Sequence, residues 1–282
     1  MDELFHGLEA QRRAVAPAEW QACIEACHRH PIRHLVHQDP FTYRAYAKPR
    51  GYAGDAEMLD FIYGREEGWS PPLATPLGQQ IFDYTTQAPA AEGVRARRAF
   101  IAALIDRMAA EDRNLEILSV AAGHLREASL CATVKRRRFR RFLALDTDGI
   151  SLGEVQRSYG RYGVEVVAAN VRRLIARKLA LGHFDLVYST GLFDYVGPAA
   201  GRRLVAVMFD LLKPAGRLVV ANFLPGIRDR GYMEAYMDWR LVYRTRHEMV
   251  DITMEIPQRL IRDITLFAEE NQNIIFVQVR RS

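Results

Sequence analysis

Between Leu115 and Leu125 the chain reads LEILSVAAGHL, an apolar β-type run that opens into small residues and one glycine; Phe142 to Asp148 then reads FLALDTD. Small residues at a strand-to-helix turn let a ligand lie against the backbone, and an acid ending the next strand can accept both hydroxyls of a ribose. The pair is the pattern of an adenosine-binding α/β crossover. Gly123 is the position for close backbone approach, while Ala121 and Leu125 hold the flanking positions where such loops use glycine. Asp146 reads as the ribose acid, with a helix N-cap as its plainer role, and Asp148 is the better cap.

Further along, Asn170 follows a third β run, where its amide can meet an adenine edge or cap the segment VRRLIARKLA; the residues leave both roles open. The stretch Tyr188 to Tyr195, YSTGLFDY, leaves a fourth β run at the edge where open α/β sheets bind ligands. Thr190 and Gly191 can line a cofactor there, and Tyr188 and Tyr195 can face a cation or a substrate, or fill the core. Outside this region, RGYAGD at 50–55 offers Arg50 as a fork for a carboxylate and Tyr52 between two glycines. The plainer reading is a turn with Gly51 and Gly54 at positive φ and Asp55 capping AEMLDFIYG. Cys23, Cys27 and His30 recur on one helical face, but their spacing matches no closed zinc pattern and Pro31 breaks the helix, so no metal is expected. No Ser/His/Asp set, HExxH or P-loop is evident, and hydrolase and NTPase chemistry have no residue to stand on.

The elements that must position these residues follow from the hydrophobic patterning. From about residue 98 the chain alternates short β-rich runs with amphipathic segments, the sequence form of a parallel sheet covered by helices. Strands are predicted at Leu115–Ala121, Arg141–Leu145, Val164–Ala168, Phe184–Ser189 and Gly216–Phe223. Ile261–Ala268 and Ile274–Val279 are too close for a crossover helix and must form an antiparallel hairpin. Residues 1–97 differ: helical patterns at about 3–30 and 96–110 bracket an aromatic segment that includes Phe41, Tyr43, Tyr46, Trp69 and Tyr84. So long an irregular stretch is expected to pack as a cap or lid.

With 282 residues and 49% hydrophobic side chains the chain can bury a full core. No run reaches the roughly 18 apolar residues of a membrane span, the N-terminal MDELFHGLEAQRR is unlike an export signal, and three cysteines form no disulfide framework. A cytoplasmic protein is expected. The net charge is +5, with much of the excess in KRRRFRR at 135–141. That run could meet phosphates, but its place near a helix C-terminus favours a solvated role and leaves nucleic acid as the lesser reading.

LSVAAGH, ALDTD, FDLVYSTGLFDYV and LLKPAGRLVVANF together resemble the class I S-adenosylmethionine-dependent methyltransferases over residues 98–282. In the last of these Pro214 is expected to stop a helix and Gly216 to release the turn. The segment around RGYAGD resembles the leader of bacterial extracellular-factor-related methyltransferase-like proteins. The resemblance implies a Rossmann-like α/β fold with a seven-stranded sheet ending in an antiparallel hairpin; the patterning of the remaining residues adds an N-terminal helical and aromatic cap at 1–97 and a helical, aromatic 225–258 insertion over the site. That resemblance implies S-adenosyl-L-methionine as cofactor, with Ser119, Ala121, Gly123, Asp146, Asn170, Thr190 and Gly191 as binding residues and Tyr188 and Tyr195 near the reacting carbon; RGYAGD, read from its own residues as a lid over the methionine end, adds Arg50 as a binding residue and Tyr52 near the reacting carbon. Ser119 departs from the family, which commonly has an acid there for the methionine amino group. Asp194 or the aromatic leader could compensate.

The expected activity is methylation of a small molecule. A rival keeps the fold but cyclises the cofactor to azetidine-2-carboxylate with release of methylthioadenosine, which Ser119 favours by removing an acid that keeps the amine charged. A third reading is a non-catalytic cofactor- or nucleic-acid-binding module.

Overall fold

The structure is a computed structural model that describes residues 1–64, 71 and 75–282. Trp69 of the aromatic segment lies outside the described residues. The chain divides into two compact units, Met1–Arg95 with Gly226–Leu241, and Ala96–Pro225 with Val242–Ser282.

The second unit carries a seven-stranded sheet: β1 Glu116–Val120, β2 Arg141–Asp146, β3 Val164–Ala168, β4 Phe184–Ser189, β5 Leu212–Phe223, β6 Ile261–Ala268 and β7 Ile274–Arg281. Their order is β3-β2-β1-β4-β5-β7-β6, with β1 to β5 parallel and β7 antiparallel to both β5 and β6. All seven predicted strands are present, and the terminal pair is the antiparallel hairpin. Because both faces of a parallel sheet are covered, its central strands read as apolar runs: Ile117, Leu118 and Val120 in β1 and Phe142 to Leu145 in β2 are at most 1% exposed. The helix Pro198–Asp210 packs Leu204, Val205 and Met208 into the same core.

The chain leaves β1 for β2 and β3 on one side, then returns to β4 on the other. That reversal opens a crevice between the carboxyl ends of β1 and β4, where open α/β sheets bind their ligands.

The turn at LKPAG differs from expectation. The preceding helix ends at Asp210, and β5 already begins at Leu212, with a register shift against β4 between Phe184 and Leu186. Ala215, at φ 62°, takes the left-handed conformation, and Gly216 serves close approach instead. A Cβ at Gly216 would lie 2.9 Å from Lys213 O and 3.1 Å from Phe184 O, both backbone atoms.

The first unit is helical. A break at Val15 and Ala16 divides the predicted first helix into Asp2–Ala14 and Pro17–Arg29, and Pro17 at the start of the second provides a pre-set φ. Four further helices, Ile32–Val36, Pro40–Ala47, Ala56–Gly64 and Pro76–Thr85, account for most of the aromatic segment. Buried Asp39 joins them: it caps Pro40–Ala47 through the N–H groups of Phe41 and Thr42 and accepts the hydroxyls of Thr42 and Thr85. The helix Arg230–Tyr236 belongs to this unit although it lies far along the chain. Tyr232 stacks on Phe5 with ring centroids 4.2 Å apart, and Glu234 accepts the indole N–H of Trp20 at 2.7 Å. A Cβ at Gly231 would sit 2.7 Å from backbone atoms of Leu8 and Glu9, so the helix pair needs glycine there. Among the described residues no helix is long and apolar enough to cross a membrane.

Gly216→Ala is expected to destabilise the second unit by about 1–3 kcal/mol, because the added methyl meets two carbonyls that belong to the sheet. Urea unfolding followed by circular dichroism measures it, and a midpoint equal to that of the parent would contradict the close-approach role.

Candidate functional site

The loop after β1 is built from backbone conformations that side chains rarely adopt. Ala121 (φ 55°), Gly123 (φ 53°) and Leu125 (φ 52°) are all left-handed, and Ala122 N–H donates to Leu145 O at 3.1 Å. Two of the three positions thus hold a conformation that favours glycine without being glycine, at a cost of about 1 kcal/mol each. The alternating hand brings the loop back over the end of β2. There Gly123 N–H donates to Asp146 Oδ2 at 2.8 Å, while Asp148 N–H donates to Oδ1 at 2.9 Å. Asp146 is 8% exposed, and each carboxylate oxygen retains acceptor capacity after these bonds. Asp148 caps the helix Gly149–Tyr159 through Ile150 N–H, which leaves Asp146 for the ligand side.

Asn170 is exposed at the end of β3, where its Oδ1 accepts Arg173 N–H at 2.9 Å and caps a helix that runs only from Val171 to Ile175. Its carbonyl is the cap, and the amide nitrogen is the part that could meet an adenine.

Ser119 and Tyr188 face each other in the register of β1 and β4, one on each side of the crevice. The Tyr188 hydroxyl donates to Glu127 Oε1 at 2.6 Å, and the Ser119 hydroxyl acts on the same phenol. Glu127 lies in the short helix Arg126–Ser129 just beyond the loop. Burial pushes its carboxyl above the usual range, opposed by the Tyr188 bond and by the charges of Arg97 and Arg98. Burial and the Glu127 charge push the Tyr188 phenol well up. Tyr188 is 1% exposed, so its ring is part of the core and its hydroxyl is turned to Glu127.

The loop after β4 is held from behind. Arg244 is buried and donates to the carbonyls of Phe193 and Val196 and to Asn222 Oδ1. Asp194, expected as a possible partner for an amine, is instead committed inward: Oδ1 accepts Phe223 N–H at 2.9 Å, and Oδ2 lies 3.5 Å from Arg97 Nη1. Burial raises its carboxyl to about 6. Gly191 faces Arg97, whose Nη2 would be 3.8 Å from a Cβ there. Thr190 is half-buried beside it, and Tyr195, in the turn Leu192–Tyr195, is exposed.

Residues 118–220, the span that holds these groups, match the family described as methyltransferase domain. The Rossmann-like unit has the fold of the class I methyltransferases. Three solved structures share the fold. One is a possible exported protein from Bordetella parapertussis, 17% identical, with a TM-score of 0.64 over 94% of this chain and 99% of that one. The S-adenosylmethionine-dependent methyltransferase SibL in its apo form is 15% identical, with a TM-score of 0.53 over 85% and 74%. Magnesium protoporphyrin IX methyltransferase from Synechocystis PCC 6803 with bound S-adenosylhomocysteine is 10% identical, with a TM-score of 0.51 over 81% and 100%. No curated protein sequence matches the chain.

Within this unit the structure gathers Ser119, Ala121, Gly123, Asp146 and Tyr188 at adjacent strand ends, with Thr190 and Gly191 in the following loop. Arg50 and Tyr52 belong to the other unit. There Gly51 is left-handed (φ 88°), Asp55 caps Ala56–Gly64 through Met58 N–H at 2.7 Å, and Arg50 Nη2 lies 3.2 Å from Glu57. The helix pattern at Cys23 to His37 is tied to the same unit's backbone: the Nε2 atoms of His28 and His37 bond the carbonyls of Ala235 and Tyr236. Among the described residues no group of three metal-ligating side chains forms.

Glu127 and Arg97 were missed in the sequence. Glu127 sits two residues past a loop already singled out, but nothing local says that its side chain turns back to β4. Arg97 lies within the helix Pro89–Glu111 and reads as one of several surface arginines, yet it is 4% exposed.

The Asp194 carboxyl, raised in the folded chain above its unfolded value, binds its proton more tightly when folded. Its ionisation therefore opposes folding above about pH 6, and that opposition fades as the pH falls toward 4. Asp194→Asn is expected to remove this slope, leaving the parent to gain about 2 kcal/mol relative to the variant between pH 7 and pH 4. Urea midpoints across that range measure the difference, and parallel curves would refute it.

Proposed function

We propose that this chain is an S-adenosyl-L-methionine-dependent methyltransferase acting on a small molecule. The observation that carries the reading is the Asp146 carboxylate at the head of β2, held by Gly123 and Asp148 N–H beside a crevice at the switch of strand order. A buried acid with spare acceptor positions next to a tightly curled loop fits a ribose diol and an adenosyl group laid on the backbone. The methyltransferase-domain match and the fold shared with SibL and the Synechocystis enzyme support the same cofactor.

S-adenosylmethionine supplies an electrophilic methyl carbon on a sulfonium, and transfer is an in-line displacement. The work left to the protein is positioning and exclusion of water. Ala121 and Gly123 offer backbone to the cofactor, Asp146 orients the ribose, and Asn170 presents an amide toward the adenine side. Thr190 and Gly191 form a wall that Arg244 keeps fixed from behind through Phe193 and Val196. Tyr195, exposed at the end of that wall, is proposed to meet the acceptor. Arg50 and Tyr52 keep their proposed roles in cofactor and acceptor binding on chemistry alone, a guanidinium fork and a phenol. A nucleic-acid acceptor is the poorer fit: in the basic run, Arg137 donates to the Arg161 carbonyl, and Arg141 donates to Leu181 O at 2.7 Å and lies over the Phe184 ring.

Cyclisation of the cofactor is the second reading. The lack of an acid at Ser119 speaks for it, but Glu127 stands one phenol away from that serine, an acid able to keep an amine protonated. That favours methyl transfer.

Calorimetry is expected to show S-adenosylhomocysteine binding, weakened about 10- to 100-fold in Asp146→Asn, since one charge-assisted acceptor is lost. No binding by the parent would sink the reading and leave a module without this cofactor. In a second measurement, the protein is incubated with S-adenosylmethionine alone. Little methylthioadenosine is expected, and its steady release without acceptor would establish cyclisation instead.

A further inference from the structure

Resting on the cofactor reading above, we infer that the acid missing at Ser119 has been relocated to Glu127, which holds the cofactor's amino group with Tyr188 and Ser119, while Arg97 binds its carboxylate. Glu127 is not where the family's pattern puts an acid. It follows the loop by two residues and reaches the crevice because Leu125, left-handed at φ 52°, turns the chain into the short helix Arg126–Ser129.

Three observations point to a ligand there. First, Glu127 meets Tyr188, a β4 residue in register with Ser119 of β1, so its carboxylate is placed at the switch point and not on the outer surface. The Tyr188 bond uses part of one oxygen's capacity, and a carboxylate can accept several more donors. An ammonium group, with three donors, complements that remainder; a serine alone would be a weak partner for it. Second, Arg97 is 4% exposed, and its Nη1 has no hydrogen-bond partner among the described residues. The nearest carboxylate oxygen, of Asp194, lies 3.5 Å from it without forming a hydrogen bond. A buried guanidinium N–H without a partner is costly, and a ligand carboxylate would satisfy it. Third, Arg97 faces Gly191 on the β4 loop and acts electrostatically on Glu127, so the two opposite charges flank one region. A zwitterionic amino acid needs this arrangement, a fixed anion for its amine and a fixed cation for its carboxylate.

The inference predicts which part of the ligand each residue senses. Three probes separate the parts: S-adenosylhomocysteine, its decarboxylated analogue that keeps the amine, and methylthioadenosine, which has neither group. In calorimetry, Glu127→Gln is expected to weaken the first two by roughly 10- to 100-fold and leave methylthioadenosine unchanged. Arg97→Met is expected to weaken S-adenosylhomocysteine alone by a similar factor, so that it binds no better than its decarboxylated analogue. Arg97→Lys, which keeps the charge on a flexible stem, should recover part of the loss and serves if Arg97→Met does not fold. Equal losses for all three probes would mean that these residues only support the fold, and no loss for S-adenosylhomocysteine would place its amino-acid end elsewhere; either result overturns the inference. Failure of the parent to bind any probe would instead overturn the cofactor reading on which it rests.

Discussion

One buried carboxylate, that of Asp146, takes backbone N–H groups from two loops, one after β1 and one after β2. The rest of the site depends on this junction. It closes the curl from Ala121 to Leu125, whose left-handed residues would otherwise have little to hold them, and so fixes where the following turn and Glu127 begin. A loop with a single glycine can hold three left-handed residues because tertiary bonds offset the local strain. Strain of this kind concentrates where a backbone must be presented to a ligand.

The crevice that this junction borders gathers one half-buried and several buried charges. Glu127, Arg97, Arg98, Asp194 and Arg244 lie in or behind it, and burial opposes ionisation of both carboxyls. Taking such groups from water is expensive unless each finds partners. Asp194 and Arg244 find theirs within the domain, fastening the β4 loop to β5. Arg97 finds them only in part. The contrast separates charges that are satisfied within the scaffold from one that is satisfied only in part.

The helical unit follows a different logic, in which small or polar residues allow close packing among aromatic ones. Gly231 admits the backbone of Leu8 and Glu9, and Asp39 gathers Thr42 and Thr85 around a core where Phe5 and Tyr232 stack. Thirteen of its residues line an apolar cavity of about 20 Å³, room for a single water. On its polar edge Asp229 accepts Ala90 N–H, and burial raises its carboxyl to about 6.

Much of this was legible in the sequence because the information was periodic or local. Apolar runs of five to eight residues mark strands wherever both faces of a sheet are covered, and a link of five residues between the last two could only be a hairpin. Asp55 and Asp148 announced themselves as caps because a cap needs only the next turn of chain. Asp146 was legible too, since an acid that ends a strand is placed by that strand. What only the tertiary structure decided is whatever depends on a side chain reaching another element. The same types of residue, an arginine in a helix and a glutamate past a loop, lie on the surface elsewhere in this chain. Burial of Arg97 beneath the β4 loop and the turn of Glu127 toward Tyr188 come from packing between segments 30 to 100 residues apart, as does the inward commitment of Asp194. Sequence determines the elements and their caps through short-range sterics and hydrogen bonds; which charges meet across the switch point is set by how those elements pack.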